Sequence, residues 1–154
     1  MSGENLTRVD CFVCSKHAQG SEVPGGIIYE DDLVYIGHIL PPDLTDVYLG
    51  YIIVEPKRHV GGLGELTDQE ARALGSTVSR VARALKMTEG AEHLYSWVLG
   101  DAVPHVHIHL VPRYPGTPKE YRGFRVVEWP DAKRGGVDHI GAVCDRLRHA
   151  LSDL

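Results

Sequence analysis

His105-Val106-His107-Ile108-His109-Leu110-Val111 is the stretch on which the reading of this chain turns. Residues two apart on a strand point to the same face, so the pattern predicts a strand from His105 to Val111 with three imidazoles in a row on one side. Val106, Ile108 and Leu110 are then buried on the other. The competing explanation is surface histidines that alternate by chance, since nine histidines are spread over 154 residues. Regular alternation with aliphatic partners favours the half-buried strand. Imidazole titrates near neutrality, and its neutral form is both a nucleophile and a metal ligand.

Outward from that strand, period and punctuation give the other elements. Ile27-Ile28-Tyr29 and Leu33-Val34-Tyr35-Ile36 read as a hairpin across Glu30-Asp31-Asp32, and Tyr51-Ile52-Ile53-Val54 as a third strand stopped at Pro56. Thr67-Asp68-Gln69-Glu70 has the capping-box pattern, followed by Ala71, Leu74, Val78, Val81 and Leu85 at helical spacing, which predicts one amphipathic helix over 68–86. Leu94 to Leu99 is a fourth strand and the histidine strand a fifth. Val137, Ile140, Cys144, Leu147 and Leu151 form the apolar stripe of a final helix. The expectation is an α+β fold: an antiparallel five-stranded meander with one long helix between strands 3 and 4 and a C-terminal helix. One domain over 1–154 suffices, divided into a Cys-pair segment (1–23), a core (24–112), and a tail with its helix (113–154).

Hydrophobic content of 43%, charge of 24% and a net charge of −5 describe an ordinary globular chain and argue against a nucleic-acid polymer as partner. The start Met1-Ser2-Gly3-Glu4-Asn5-Leu6 has no basic run and no segment approaches a membrane span, so the expected compartment is the cytoplasm with no membrane partner. Three cysteines fit a reducing environment. Cys11-Phe12-Val13-Cys14 has the spacing of half a zinc knuckle and of redox pairs alike. Cys144 reads as a small buried hydrophobe.

On these residues the chain resembles the histidine triad (HIT) family of nucleotide hydrolases and transferases. The resemblance runs from Cys11 to about Pro118; its most specific part is His105 through Val111 with Pro112-Arg113, supported by Tyr29-Glu30-Asp31-Asp32 and Pro56-Lys57-Arg58-His59. It implies a homodimer whose sheets join and a nucleotide substrate with its phosphates against the histidines. His107 then corresponds to the nucleophile that forms a nucleotidyl-histidine intermediate, with its Nδ1–H fixed to a backbone carbonyl and its Nε2 lone pair free. His109 corresponds to a cationic donor to the transferring phosphoryl or its leaving group. His105, the third catalytic candidate, also completes with Cys11, Cys14 and His59 the four ligands of a structural zinc site seen in some members. Such a Cys2His2 set is closed and leaves no coordination position for catalysis. In the competing reading Cys11 and Cys14 are core residues and His59 is solvated, and His17 is a spare ligand nearby.

The chain also departs from the family. Gly100-Asp101-Ala102-Val103 stands where relatives carry Gly-Gln-Ser/Thr-Val, so a carboxylate replaces a phosphate-binding amide, and Asp101 beside a polyphosphate would be repelled. Gly37-His38 replaces a ribose-binding Asp, which makes His38 a candidate ribose or phosphate donor or else a surface histidine. Gly50-Tyr51 replaces Gly-His. Trp97 is a candidate base-stacking residue or a core aromatic, and Trp129 lies where relatives reach the partner's pocket. Lys57-Arg58 read as solvated. The leading expectation is a nucleotidyl hydrolase or transferase; the alternatives are a nucleotide-binding module with little turnover, or a metalloenzyme using the histidines to hold a catalytic metal.

Overall fold

The computed structural model describes residues 10–41 and 43–152; the start from Met1 to Leu6 lies outside them. In chain order the elements are α1 (Phe12–Gln19), β1 (Tyr29–Glu30), β2 (Val34–His38), β3 (Val47–Tyr48), β4 (Ile52–Pro56), α2 (Asp68–Glu89), β5 (His93–Trp97), β6 (Ile108–Arg113), β7 (Arg134–Gly135) and α3 (Val137–Ser152). Among the described residues no helix is long and apolar enough to cross a membrane.

The long helix begins where its capping box places it. The Thr67 hydroxyl accepts from the Glu70 N–H at 3.2 Å and the Glu70 carboxylate accepts from the Thr67 N–H at 2.8 Å, so two orphan donors of the first turn are satisfied reciprocally. Glu70 also receives the Arg58 guanidinium through two bonds, of 2.8 and 2.7 Å. These hydrogen bonds, Arg58 first, hold its carboxyl down to about 2. A depressed folded-state pKa stabilises above the unfolded value and is lost as pH falls. Glu70→Gln is therefore expected to flatten the acid limb of the stability curve between about pH 4.5 and 2, read by thermal melts across that range.

The five-stranded sheet is antiparallel, in the order β1-β2-β4-β6-β5. The expected meander fails at its end: the fourth strand of the sheet is an edge, and the fifth sits between it and the third. The cause is α2. A 22-residue helix is about 33 Å long and must cross the sheet, so it returns the chain to run parallel to β4. The antiparallel β6 fills the space between the two. The histidine strand also starts later than expected, at Ile108. The His105 N–H is tied to Val103 O (2.8 Å) and the Val106 N–H to Val60 O (2.8 Å), which takes both out of the sheet ladder.

One face of the sheet carries Val34, Ile36, Ile52, Val54 and Leu110 against Leu74, Val81 and Leu85 of α2 and Ile140, Val143, Cys144 and Leu147 of α3. The alternation that predicted burial of Val106 and Leu110 holds, and Ile108 is half-buried. Cys144 is fully buried as expected, and burial pushes its thiol up to about 11. The opposite face carries Tyr35, Ile53, Glu55, Trp97 and His109 by register. There a second cluster of Tyr48, Val111, Tyr114 and Val126 seats the chain after Pro112.

Gly50 holds the entrance to β4 at φ +82, where a Cβ would lie 2.5 Å from the Tyr114 hydroxyl. That hydroxyl donates to Leu49 O at 2.7 Å and cannot yield without losing its acceptor. Gly50→Ala is expected to destabilise by about 2–4 kcal/mol from combined strain and overpacking, measured by urea unfolding.

Candidate active site

His107 and His109 lie on one side of the incoming strand with ring centroids 4.8 Å apart. The His107 Nδ1–H donates to the carbonyl of His105 at 2.6 Å. A carbonyl only accepts, so this fixes the tautomer and leaves the lone pair on Nε2 of a half-buried ring that lines a cavity. His109 differs from expectation. Its Nδ1 meets the Tyr51 hydroxyl at 2.8 Å, and its Nε2 is buried with no partner among the described residues. Burial first, and then the neighbouring His107, push His109 down to about 4, so the expected cationic donor is neutral at physiological pH.

His105 turns instead to a second cluster. Cys11, Cys14, His59 and His105 bring their donor atoms within 4.8 Å of one another. Cys11 Sγ lies 3.5 Å and Cys14 Sγ 3.6 Å from His105 Nδ1, and Cys14 Sγ lies 3.5 Å from His59 Nδ1. A tetrahedral zinc with sulfur at about 2.3 Å and nitrogen at about 2.0–2.1 Å has S···N edges of about 3.5 Å, so these side chains already stand at a metal's spacing. His105 Nε2–H donates to Pro56 O at 2.9 Å, which directs the Nδ1 lone pair at the sulfurs. Burial lowers the pKa of His105, favouring the neutral, ligating form. His17 is not a competing ligand: its Nε2 is 2.9 Å from Glu55 Oε2 and its ring stacks on Tyr35 at 4.3 Å.

Beside His107 and His109 opens a cavity of about 160 Å³, walled by Phe12, Val13, Ile39, Leu40 and Ile53. Lys16 and Glu55 also line it, joined at 2.6 Å across α1 and β4 and almost wholly buried. Burial alone would raise the Glu55 carboxyl; the His17 hydrogen bond and the Lys16 ammonium outweigh it and hold the group below its ordinary range.

The other expected contacts are distributed differently. His38 belongs by alternation to the helix-covered face, and both ring nitrogens meet main chain: Nδ1–H donates to Ile39 O at 3.1 Å and Nε2 accepts from Gly50 N–H at 3.0 Å. It touches the cavity but has no free ring donor for a ribose. Trp97 stacks on His109 at 5.9 Å and meets Phe124 at 5.1 Å, so its ring supports the site from the sheet. Asp101 is exposed in the loop between β5 and β6 and does not line the cavity. Lys57 pairs with Glu30 and Arg58 with Glu70. Trp129 packs against the second cluster of its own chain.

Three polar side chains of this site were not singled out in the sequence as site residues. Lys16 had no signal. Glu55 had one, a carboxylate beside the apolar run of a strand whose residues are all buried. Tyr51 registered only as a replaced histidine.

The chain matches the HIT domain family over residues 20–116, and it belongs to that family. A bifunctional bis(5'-adenosyl)-triphosphatase/adenylylsulfatase of Arabidopsis thaliana is 32% identical over 110 residues, covering 67% of this chain and 59% of the relative. A purine nucleoside phosphoramidase of Escherichia coli K12 is 25% identical over 103 residues, covering 63% and 83%. The crystal structure of a zinc-bound histidine triad family protein from Mycobacterium smegmatis shares the fold with a TM-score of 0.67 at 24% identity, covering 96% of each chain.

Proposed function

We propose that this protein is a nucleotidyl hydrolase or transferase acting on the α-phosphate of a nucleoside phosphoramidate or dinucleoside polyphosphate. The observation that carries this reading is the 2.6 Å bond from His107 Nδ1–H to the His105 carbonyl, which presents the Nε2 lone pair beside an apolar cavity able to take the base end of a nucleotide. His107 Nε2 attacks phosphorus, an N–P bond forms and the bond to the leaving group breaks. The oxygen of water or another hydroxyl acceptor then forms a P–O bond as the N–P bond breaks, which returns the electron pair to Nε2 and releases the acceptor's proton to solvent. His109 holds the transferring phosphoryl group.

Cys11, Cys14, His59 and His105 hold a structural zinc in this reading. Two thiolates and two imidazoles fill its coordination, and the metal supplies rigidity where α1, the β4 exit and the approach to β6 meet. The readings in which paired triad histidines hold a catalytic metal are not favoured, because His105 faces the cysteines while His107 and His109 are tied to a carbonyl and a phenol. Two copies join through their sheets, a part supported by the edge position of β5 and the exposed side chains of Leu99 (62%) and Phe124 (71%). Sedimentation analysis tests it, a monomer at micromolar concentration being the contrary result.

The decisive experiment for the chemistry is mass spectrometry of the protein after brief exposure to nucleoside phosphoramidates and dinucleoside polyphosphates, with the adduct mapped by fragmentation. A nucleotidyl group on His107 is expected. Nucleotide binding without any adduct or product would favour the binding-module reading instead.

A further inference from the structure

We propose that Tyr51 is a positioning residue that holds His109 as a neutral Nε2–H donor, and that this restricts the site to leaving groups that depart as anions. The second half rests on the reading of His107 given above; the first half stands on geometry alone.

The His109 ring is held from three sides. Trp97 stacks on it with planes 24° apart, the Tyr51 ring meets it at 5.7 Å, and His107 lies against it at 4.8 Å. One hydrogen occupies the 2.8 Å line between the Tyr51 oxygen and His109 Nδ1. If the imidazole donated it, the phenol hydrogen would need another acceptor, and the other side chain that hydrogen-bonds to the phenol, the Trp97 indole, only donates. A buried hydroxyl without an acceptor is costly. If the phenol donates, its hydrogen is satisfied and the neutral ring carries its single N–H on Nε2, the buried atom that has no protein partner. Burial acts in the same direction on both groups, pushing the phenol up to about 12 and the imidazole down to about 4. The other ionisable groups around the ring are His107 next to it, Glu55 of β4, and across the cavity Lys16 of α1 and His38 of β2, whose ring nitrogens are both bonded to main chain.

A neutral Nε2–H can donate a hydrogen bond to a non-bridging phosphoryl oxygen, but it cannot act as an acid. Giving up that proton would leave an imidazolate, or a tyrosinate if the phenol hydrogen followed. The step therefore balances without proton transfer from His109: the His107 Nε2 pair forms the N–P bond, the P–O pair leaves with a phosphate-type group as its anion, and His107 keeps its Nδ1–H on the His105 carbonyl. A phosphate-type anion leaves readily in this way. An amine does not, because the P–N bond breaks only once nitrogen has been protonated. Tyr51 thus selects phosphoanhydrides, the dinucleoside polyphosphate class, over phosphoramidates.

The test uses the full-length protein labelled with ¹⁵N-histidine. Long-range ¹H–¹⁵N correlation spectra are expected to show His109 protonated on Nε2, with Nδ1 an acceptor. A wild-type spectrum with His109 protonated on Nδ1, or on both nitrogens at pH 7, overturns the proposal, and this arm needs no variant. Single-turnover labelling of His107 is expected to favour a dinucleoside polyphosphate over the matched phosphoramidate by at least ~10²-fold in rate, the scale of a missing general acid. Tyr51→Phe frees Nδ1, so His109 should accept a second proton there, become an imidazolium able to act as an acid, and narrow that ratio about tenfold. Equal rates in the wild type, or a ratio that Tyr51→Phe leaves unchanged although its His109 is protonated on both nitrogens, overturn the leaving-group half. If neither substrate labels His107, the proposed function fails, and the spectra still decide what Tyr51 does.

Discussion

Replacing His107 by alanine is expected to lower kcat/KM by at least ~10³-fold while leaving nucleotide affinity within roughly tenfold of wild type. The asymmetry follows from where the residue sits. The apolar wall of Phe12, Val13, Ile39, Leu40 and Ile53 makes no use of the His107 side chain, so the ground-state complex keeps most of its contacts. The barrier loses the nucleophile itself, and no neighbour can substitute, because His109 is committed to Tyr51 and His105 to the cysteine cluster. Among the described residues the ring makes one hydrogen bond, to the His105 carbonyl, so stability should fall only by the scale of one lost bond, about 1 kcal/mol. His107→Gly with added imidazole should recover part of the rate, since the vacated space borders an open cavity. Turnover close to wild type in His107→Ala would end the covalent hypothesis, whereas loss of binding in step with turnover would assign the residue to recognition.

The second large effect concerns zinc. Protein purified without chelator is expected to hold one zinc per chain, and Cys11→Ser or Cys14→Ser should release it. The loss should cost several kcal/mol of stability, below the ~10–16 kcal/mol of zinc-finger peptides, because this chain has an apolar core that does not depend on metal. For a chain of this size that is a Tm lower by roughly 10 °C. Chemistry should suffer less: chelation is expected to slow labelling of His107 only through loosening of the 105–107 backbone, whose carbonyl sets the nucleophile's tautomer. Elemental analysis with differential scanning calorimetry before and after chelation measures both effects. Absence of zinc, or unchanged Tm after stripping, refutes the assignment.

Much of this was legible in the chain because it is written locally. The start of α2 is a four-residue signal, Thr67 to Glu70, and the histidine strand a seven-residue one. The pairing of Cys11 and Cys14 with His59 and His105 is not local, and it was reached only through resemblance; spacing alone left a redox pair equally open. Alternation gives a strand its faces without naming its neighbours, which is why β5 and β6 were placed in chain order. His38 failed as a ribose donor for a related reason: its face was one residue out of phase with the site, and the Gly50 N–H that claims it lies twelve positions away. The Lys16–Glu55 pair, thirty-nine residues apart, carries no sequence signal as a pair. Asp101 looked disruptive because a substitution pattern says what is present and not which way a loop turns it.

The strand that directly follows His107 is the last of the sheet's five to be made, and it lies between two made earlier. Until residues 108–113 are in place, β4 and β5 face each other across an open slot, each with an unpaired row of N–H and C=O groups. A nascent or truncated chain therefore has two adhesive edges and no assembled histidine pair. The order of synthesis ties site assembly to completion: the same insertion that closes the sheet against self-association delivers His109 beside Tyr51 and Trp97, with His107 against it, so an unfinished sheet lacks the site proposed to act on a nucleotide. This long-range closure also makes slow folding the natural expectation, with the proposed labelling of His107 expected only once β6 has paired.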